Sequence, residues 1–159
     1  MEETQTRKRY EDGLELIRVD REQDLPQWID RARLAAWLHE SLKPFEDTMP
    51  DIEGGLDYAF SDAEGLGGFV VLAHEEQEIV GALVMLSTGM SGYIPENILL
   101  FVAVSPEMRG RGVGRRVIEW SIEQADGDVK LHVEHDNPAK RLYERIGFTQ
   151  KYAEMRFNK

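Results

Sequence analysis

Four arginines fall within eight positions, Arg109, Arg111, Arg115 and Arg116, and three glycines, Gly110, Gly112 and Gly114, are interleaved with them. The segment follows an apolar run from Asn97 to Val104 and leads into helical spacing at Val113, Val117, Ile118 and Ile122. A helix start leaves about four backbone N–H groups without internal partners, and its dipole favours negative charge. Glycines let that backbone come close to a ligand, and arginines add charge and forked donors. The chemistry open to such a segment is the grip of a diphosphate. The charge distribution agrees, because no lysine or arginine lies between Lys43 and Arg109, while twelve acidic residues run from Glu46 to Glu107. A chain of net charge −11 that places four of its nineteen basic residues within eight positions of one glycine-rich turn is expected to bind an anion there.

Several other chemistries fail on residue type or spacing. A mononucleotide P-loop needs Gly-Lys-Ser/Thr, but Gly114 is followed by Arg115 and Arg116. The dinucleotide fingerprint needs G-x-G-x-x-G, whereas the glycines here are spaced G-x-G-x-G. His132, Glu134 and His135 cluster, but a metal site needs three or four converging ligands, so no metal is expected. With no cysteine, thiolate nucleophiles, disulfides and Cys-based zinc sites are excluded. The acidic balance argues against nucleic acid as a partner. No run is long and apolar enough for a membrane span, and Met-Glu-Glu-Thr-Gln-Thr-Arg-Lys lacks the apolar core of a secretory signal, so a cytoplasmic location is expected.

The elements that must position this turn follow from periodicity. The length of 159 residues fits one domain, residues 1–159, with 1–12 expected to be a flexible tail. Leu14 to Val19 reads as a strand. Asp24-Leu25-Pro26 looks like a helix start, with apolar residues at helical spacing through Leu42 and a stop at Lys43-Pro44. A second helix is expected over Pro50 to Phe60, weakened by Gly54-Gly55. Phe69 to His74 and Glu78 to Leu86 read as a hairpin, and Asn97 to Val104, apolar on both faces, as a doubly buried strand. A helix over Gly112 to Ala125, a strand over Val129 to Glu134 and a short helix carrying Ala139, Leu142, Tyr143 and Ile146 follow. Phe148 to Phe157 is expected as a final strand bent near Lys151. Strands alternating with helices, plus a hairpin, predict a mixed α/β sheet.

Arg109, Gly112 and Gly114 fill the pattern Q/R-x-x-G-x-G/A, and Ala139-Lys-Arg-Leu-Tyr143-Glu-Arg-Ile-Gly147-Phe148 fills A-x-x-L-Y-E-x-x-G-F. In both signatures the chain resembles the GNAT superfamily of N-acetyltransferases, over roughly Gly68 to Phe157. The resemblance implies a single-domain, mostly antiparallel mixed sheet, splayed at its central strands and flanked by about four helices. It also implies acetyl-CoA as acyl donor, with no metal, and an enzyme that is a monomer or homodimer.

By the same resemblance, the Val102 N–H meets the acetyl carbonyl and Val104 pairs with the pantetheine amide. The N–H groups of Arg109, Gly110, Arg111, Gly112, Val113 and Gly114 hold the pyrophosphate, with Arg115 adding charge. Tyr143 is the proton donor to the departing thiolate. The family's cofactor-touching asparagine falls at Asp136, one residue before Asn137, and Asn137 before Pro138 also suits a helix cap. Relatives that carry a catalytic glutamate place it at the position of Ile98, and Glu96 shares that face by strand parity, so it is the candidate base, acting through water. The acidic stretch points to a cationic amine acceptor. The alternative is a non-catalytic acyl-CoA sensor with the same fold.

Overall fold

A computed structural model describes residues 6–159. Six strands form one open sheet in chain order: β1 (Arg7–Arg9), β2 (Glu15–Val19), β3 (Gly68–Glu75), β4 (Glu78–Ser87), β5 (Asn97–Val104) and β6 (Val129–Leu131). Neighbours pair antiparallel except β5 with β6, which are parallel. Alternation along the strands divides the core into two layers. Ile17, Val19, Val70, Leu72, Ala82 and Val84 face helices α1 (Arg31–Ser41) and α2 (Met49–Ala59). Leu16, Phe69, Val71, Leu83 and Met85 face α3 (Val113–Gln124) and, at its rim, α4 (Ala139–Ile146). Strands covered on both faces are apolar throughout, which is why β3 and β4 carry unbroken hydrophobic runs.

The structure corrects the sequence reading in four places. The expected N-terminal tail contributes an edge strand over Arg7–Arg9, with residues 1–5 outside the described chain. Arg116 fastens the turn after that strand, donating to both carboxylate oxygens of Asp12 (3.1 and 3.0 Å) and packing over the Tyr10 ring. Helix α1 starts at Arg31, not near Asp24. The Asp30 side chain accepts from the Arg33 N–H at 2.8 Å, while residues 22–29 form a short 3-10 segment and a turn closed by Ile29 N–H on the Pro26 carbonyl. Strand β6 ends at Leu131 instead of Glu134. Residues 148–157 form no strand.

The doubtful glycine pair in α2 has a physical reason. Gly54 is exposed, with nothing within 4 Å of a hypothetical Cβ. At Gly55 a Cβ would lie 2.6 Å from Leu100 Cδ2 and 2.9 Å from Phe101 Cε2, so α2 rests almost backbone-on on β5. Thr48 caps this helix by accepting from the Asp51 N–H. Arg31 clamps its flank to α1, donating to Glu53 and Asp57.

Candidate active site

Two hydrogen bonds fix which way the β5 backbone faces. The Asn97 N–H donates to the Asp128 carbonyl (3.1 Å) on the β6 side, and the Ser105 N–H donates to the Val80 carbonyl (2.9 Å) on the β4 side. Those residues are an even number apart, so in a regular strand both groups would face the same neighbour. Parity therefore inverts between them. Phe101 pairs with Val84 and Leu99 with Met85, which leaves Leu100 as the extra residue of a bulge. Leu100 and Phe101 consequently both face the α1–α2 layer, under Gly55. Beyond the bulge, 101, 103 and 105 address β4, while Val102 and Val104 turn their N–H and C=O groups to the other edge. The β6 ladder stops at Leu99–Leu131, one residue before the bulge, so that edge opens into a cleft.

The glycine-rich turn closes the top of the cleft. Pro106–Met108 makes one 3-10 turn, Gly110 and Gly112 take positive φ (82° and 74°), and α3 begins at Val113 with Gly112 as its N-cap and no side-chain cap bond. Left-handed backbone at both positions is what glycine supplies without strain. Nothing lies within 4 Å of a hypothetical Cβ at either, so both Cβ directions point into open space. Gly114 differs: its hypothetical Cβ sits 3.5 Å from Leu142 Cδ2 and 3.5 Å from Val104 Cγ2. At that point α3, α4 and the end of β5 converge, which brings Tyr143's helix alongside the cleft.

The four arginines divide into two pairs. Arg109 is a strut: its guanidinium donates to the Val104 carbonyl (3.3 Å) and to the Ser41 carbonyl at the end of α1 (2.9 Å). Val104 therefore has its carbonyl engaged while its N–H faces the open edge. Arg116 turns to the N-terminal segment. Arg111 and Arg115 remain about half exposed beside the helix start, with Glu75 at 3.6 Å from one and Glu119 at 2.6 Å from the other.

Tyr143 is buried at 9% exposure, edge-on to Phe148 at 5.9 Å, in the same cluster as Val102, Val104 and Val113. Burial pushes its phenol up to about 12, so it is protonated at neutral pH. The Asn137 side chain accepts from the Ala139 N–H at 2.9 Å, opening α4, and Asp136 is exposed just before it.

Glu96 is not brought to this constellation. Its carboxylate accepts from the Asp128 N–H at 2.8 Å, which holds it below the usual carboxylate range, and it fills the space above Gly127. Six residues at about 3.3 Å each separate it from Val102 along β5, roughly 20 Å. It braces the α3–β6 turn. Sequence reasoning did not find the Leu100 bulge or the Arg109–Ser41 link. The only trace of the first was Gly55, whose missing side chain makes room for it.

An open mixed sheet, parted beyond a bulge and capped by a glycine-arginine helix start, is the architecture of an acyltransferase fold. A family model described as acetyltransferase (GNAT) domain matches residues 66–150, and the chain belongs to that family. No curated protein matches it. Among solved structures it is similar to an aminoglycoside acetyltransferase, meta-AAC0020, from an uncultured soil metagenomic sample in complex with trehalose. That match has 20% identity and a TM-score of 0.61, covering 94% of this chain and 97% of the other. A possible acetyltransferase from Clostridium difficile 630 gives 18% identity and a TM-score of 0.65, with 92% and 97% covered. Aminoglycoside N-acetyltransferase AAC(6')-Iy in complex with CoA gives 17% and 0.60, with 92% and 94% covered. These likenesses establish a shared fold. Among the described residues no group of three or more His, Asp or Glu could hold a metal, and no helix is long and apolar enough to cross a membrane.

Proposed function

We propose that the protein transfers the acetyl group of acetyl-CoA directly to a primary amine of a cationic acceptor. The observation that carries this is the bulge at Leu100, which turns the Val102 and Val104 N–H groups into the cleft beside Tyr143 and below the glycine turn. Amides from Arg109 to Gly114 would hold the pyrophosphate, with Arg111 and Arg115 adding charge and Asn137 at the α4 end. The Val104 N–H would take a pantetheine carbonyl. The Val102 N–H would receive the thioester oxygen as it gains charge during amine attack. The new C–N bond forms, the C–S bond breaks, the sulfur takes the proton of the Tyr143 hydroxyl, and the tyrosinate regains a proton from solvent water. A thiolate is a good leaving group, so a phenol with a raised pKa suffices as donor. Glu96 is engaged elsewhere, so the attacking amine loses its proton to solvent water.

Charge supports the acceptor class. Among the acidic residues of the basic-free stretch, Glu53 and Asp57 are held by Arg31, and Glu96 by a backbone N–H. Glu46, Asp47 and Asp51, on and after the α1–α2 connection, remain exposed. They attract cations toward the α1–α2 side of the cleft. Two of the similar structures are of aminoglycoside acetyltransferases, which places amino sugars beside polyamines and peptide amines in the acceptor panel. The test is release of CoA thiol from acetyl-CoA across that panel. Turnover with at least one cationic amine is expected. Acetyl-CoA binding without turnover on any amine would favour a non-catalytic sensor instead.

A further inference from the structure

Arg116 lies in the first turn of α3, yet its side chain reaches back over the helix start. Nη2 donates to the Arg111 carbonyl (3.2 Å) and Nε to the Gly112 carbonyl (3.4 Å). Nη1 donates to both carboxylate oxygens of Asp12, in the turn between β1 and β2, and the guanidinium carbon sits 4.8 Å from the centre of the Tyr10 ring. Asp12 is fixed in turn by the Leu14 N–H, which donates to it at 3.3 Å. One side chain therefore ties two consecutive peptide groups of the glycine turn to a segment 104 residues earlier. It is 22% exposed, against 47% for Arg111 and 51% for Arg115, because these contacts hold it against the protein.

In a trans peptide the carbonyl and the N–H of the following residue point in opposite directions. Arg116 holds the Arg111 and Gly112 carbonyls on its own side, so the Gly112 and Val113 N–H groups point to the other, out of the helix start. The Gly112 carbonyl is also secured by the helix, as acceptor of the Arg116 N–H at 3.2 Å. The Arg111 carbonyl lies one residue before that first helical acceptor, so α3 does not hold the 111–112 peptide. Glycine does not hold it either, because glycine takes either sign of φ about as readily. A flip of this peptide would turn the Gly112 N–H away and present a carbonyl oxygen in its place. We infer that Arg116, anchored by Asp12, is a positioning residue that aims the Gly112 and Val113 N–H groups at the diphosphate of CoA, an inference that rests on the cofactor reading proposed above. Asp12 gives this a sign. Its negative charge stands beside an anion site, so by Coulomb attraction alone its removal would tighten the anion. As the anchor of Arg116, its removal loosens the anion.

Calorimetric titration with CoA tests this. The parent chain should bind, and Arg116→Met, Arg116→Lys and Asp12→Asn should each bind at least about tenfold more weakly, with unchanged circular dichroism spectra. Arg116→Lys keeps the charge, but one ammonium cannot span Asp12 and two carbonyls as the guanidinium fork does. Arg7→Ala, which breaks the pair with Glu15 in the same hairpin, should leave the affinity unchanged. In nuclear magnetic resonance spectra labelled with heavy nitrogen at glycine only, CoA should shift the Gly112 amide of the parent, and that shift should be lost in Arg116→Met. A parent chain that does not bind CoA would overturn the cofactor reading and this inference with it. With a parent that binds, the inference alone falls if Asp12→Asn binds as tightly or more tightly, if Arg116→Lys matches the parent, if Arg7→Ala weakens binding equally, or if the Gly112 shift persists in Arg116→Met. Should the Arg116 variants lose their fold, the sign of the Asp12→Asn effect decides it.

Discussion

Burial raises the Tyr143 pKa from 10.0 to about 12, and that shift has two consequences. The hydroxyl stays protonated throughout the range in which the enzyme works, so Tyr143→Phe should lower kcat by about 10- to 100-fold with little change in KM for acetyl-CoA. Steady-state kinetics on both substrates separate the two parameters. The second consequence concerns stability. A phenol whose folded pKa lies above its unfolded value contributes stability that is fully present below pH 10 and is lost as pH rises toward 12. The parent chain should therefore lose Tm over that window more steeply than Tyr143→Phe. At Gly112 the φ of 74° strains any side chain, although the space around the Cβ direction is empty. Gly112→Val should raise KM for acetyl-CoA at least about tenfold, because a β-branched residue does not hold the left-handed backbone that shapes the turn and aims its N–H groups. The placements of Gly112 in the turn and of Tyr143 on the α4 stripe were legible because turn conformation and helix period are local. Those of Arg109 and Glu96 were not, since each is decided by a distant backbone group: the Ser41 carbonyl for one, the Asp128 N–H for the other.

Adjacent glycines in α2 separate propensity from packing. Gly54 is solvent-facing and unobstructed, so Gly54→Ala should stabilise the chain by about 0.5–1 kcal/mol through helix propensity. Gly55→Ala carries the same propensity gain but drives a methyl into Leu100 and Phe101, and overpacking of this kind costs about 1–3 kcal/mol. Urea unfolding of the two variants should shift the midpoint in opposite directions. A shared sign would mean that α2 does not sit so close to the bulge. The helices, the hairpin and β5 were readable from period and punctuation. The bulge was not, because Leu100 and Phe101 are apolar like their neighbours and a run apolar on both faces carries no parity. Helix α1 was placed too early because two aspartates resemble caps, and only Asp30 has an N–H to accept.

The whole molecule carries a net charge of −11, with Glu46, Asp47 and Asp51 exposed around the α1–α2 connection and Arg111 and Arg115 half exposed at the start of α3. Attraction by such charges is screened within about 10 Å at 0.1 M salt. Raising salt from about 0.05 to 0.5 M should therefore lower kcat/KM for a polyvalent cationic amine several-fold. A monoamine should change far less, as stopped assays at matched acetyl-CoA would reveal. The order of elements, the glycine-arginine turn and the candidate proton donor followed from residues close together in the chain, because turn chemistry, capping and helical period act over a few positions. Tertiary structure alone decided where the sheet opens, which arginines are tied to distant segments, where Glu96 is held and that residues 148–157 form no strand. Each depends on groups far apart in the chain, and a strand's pairing exists only when a second edge is present to complete its hydrogen bonds.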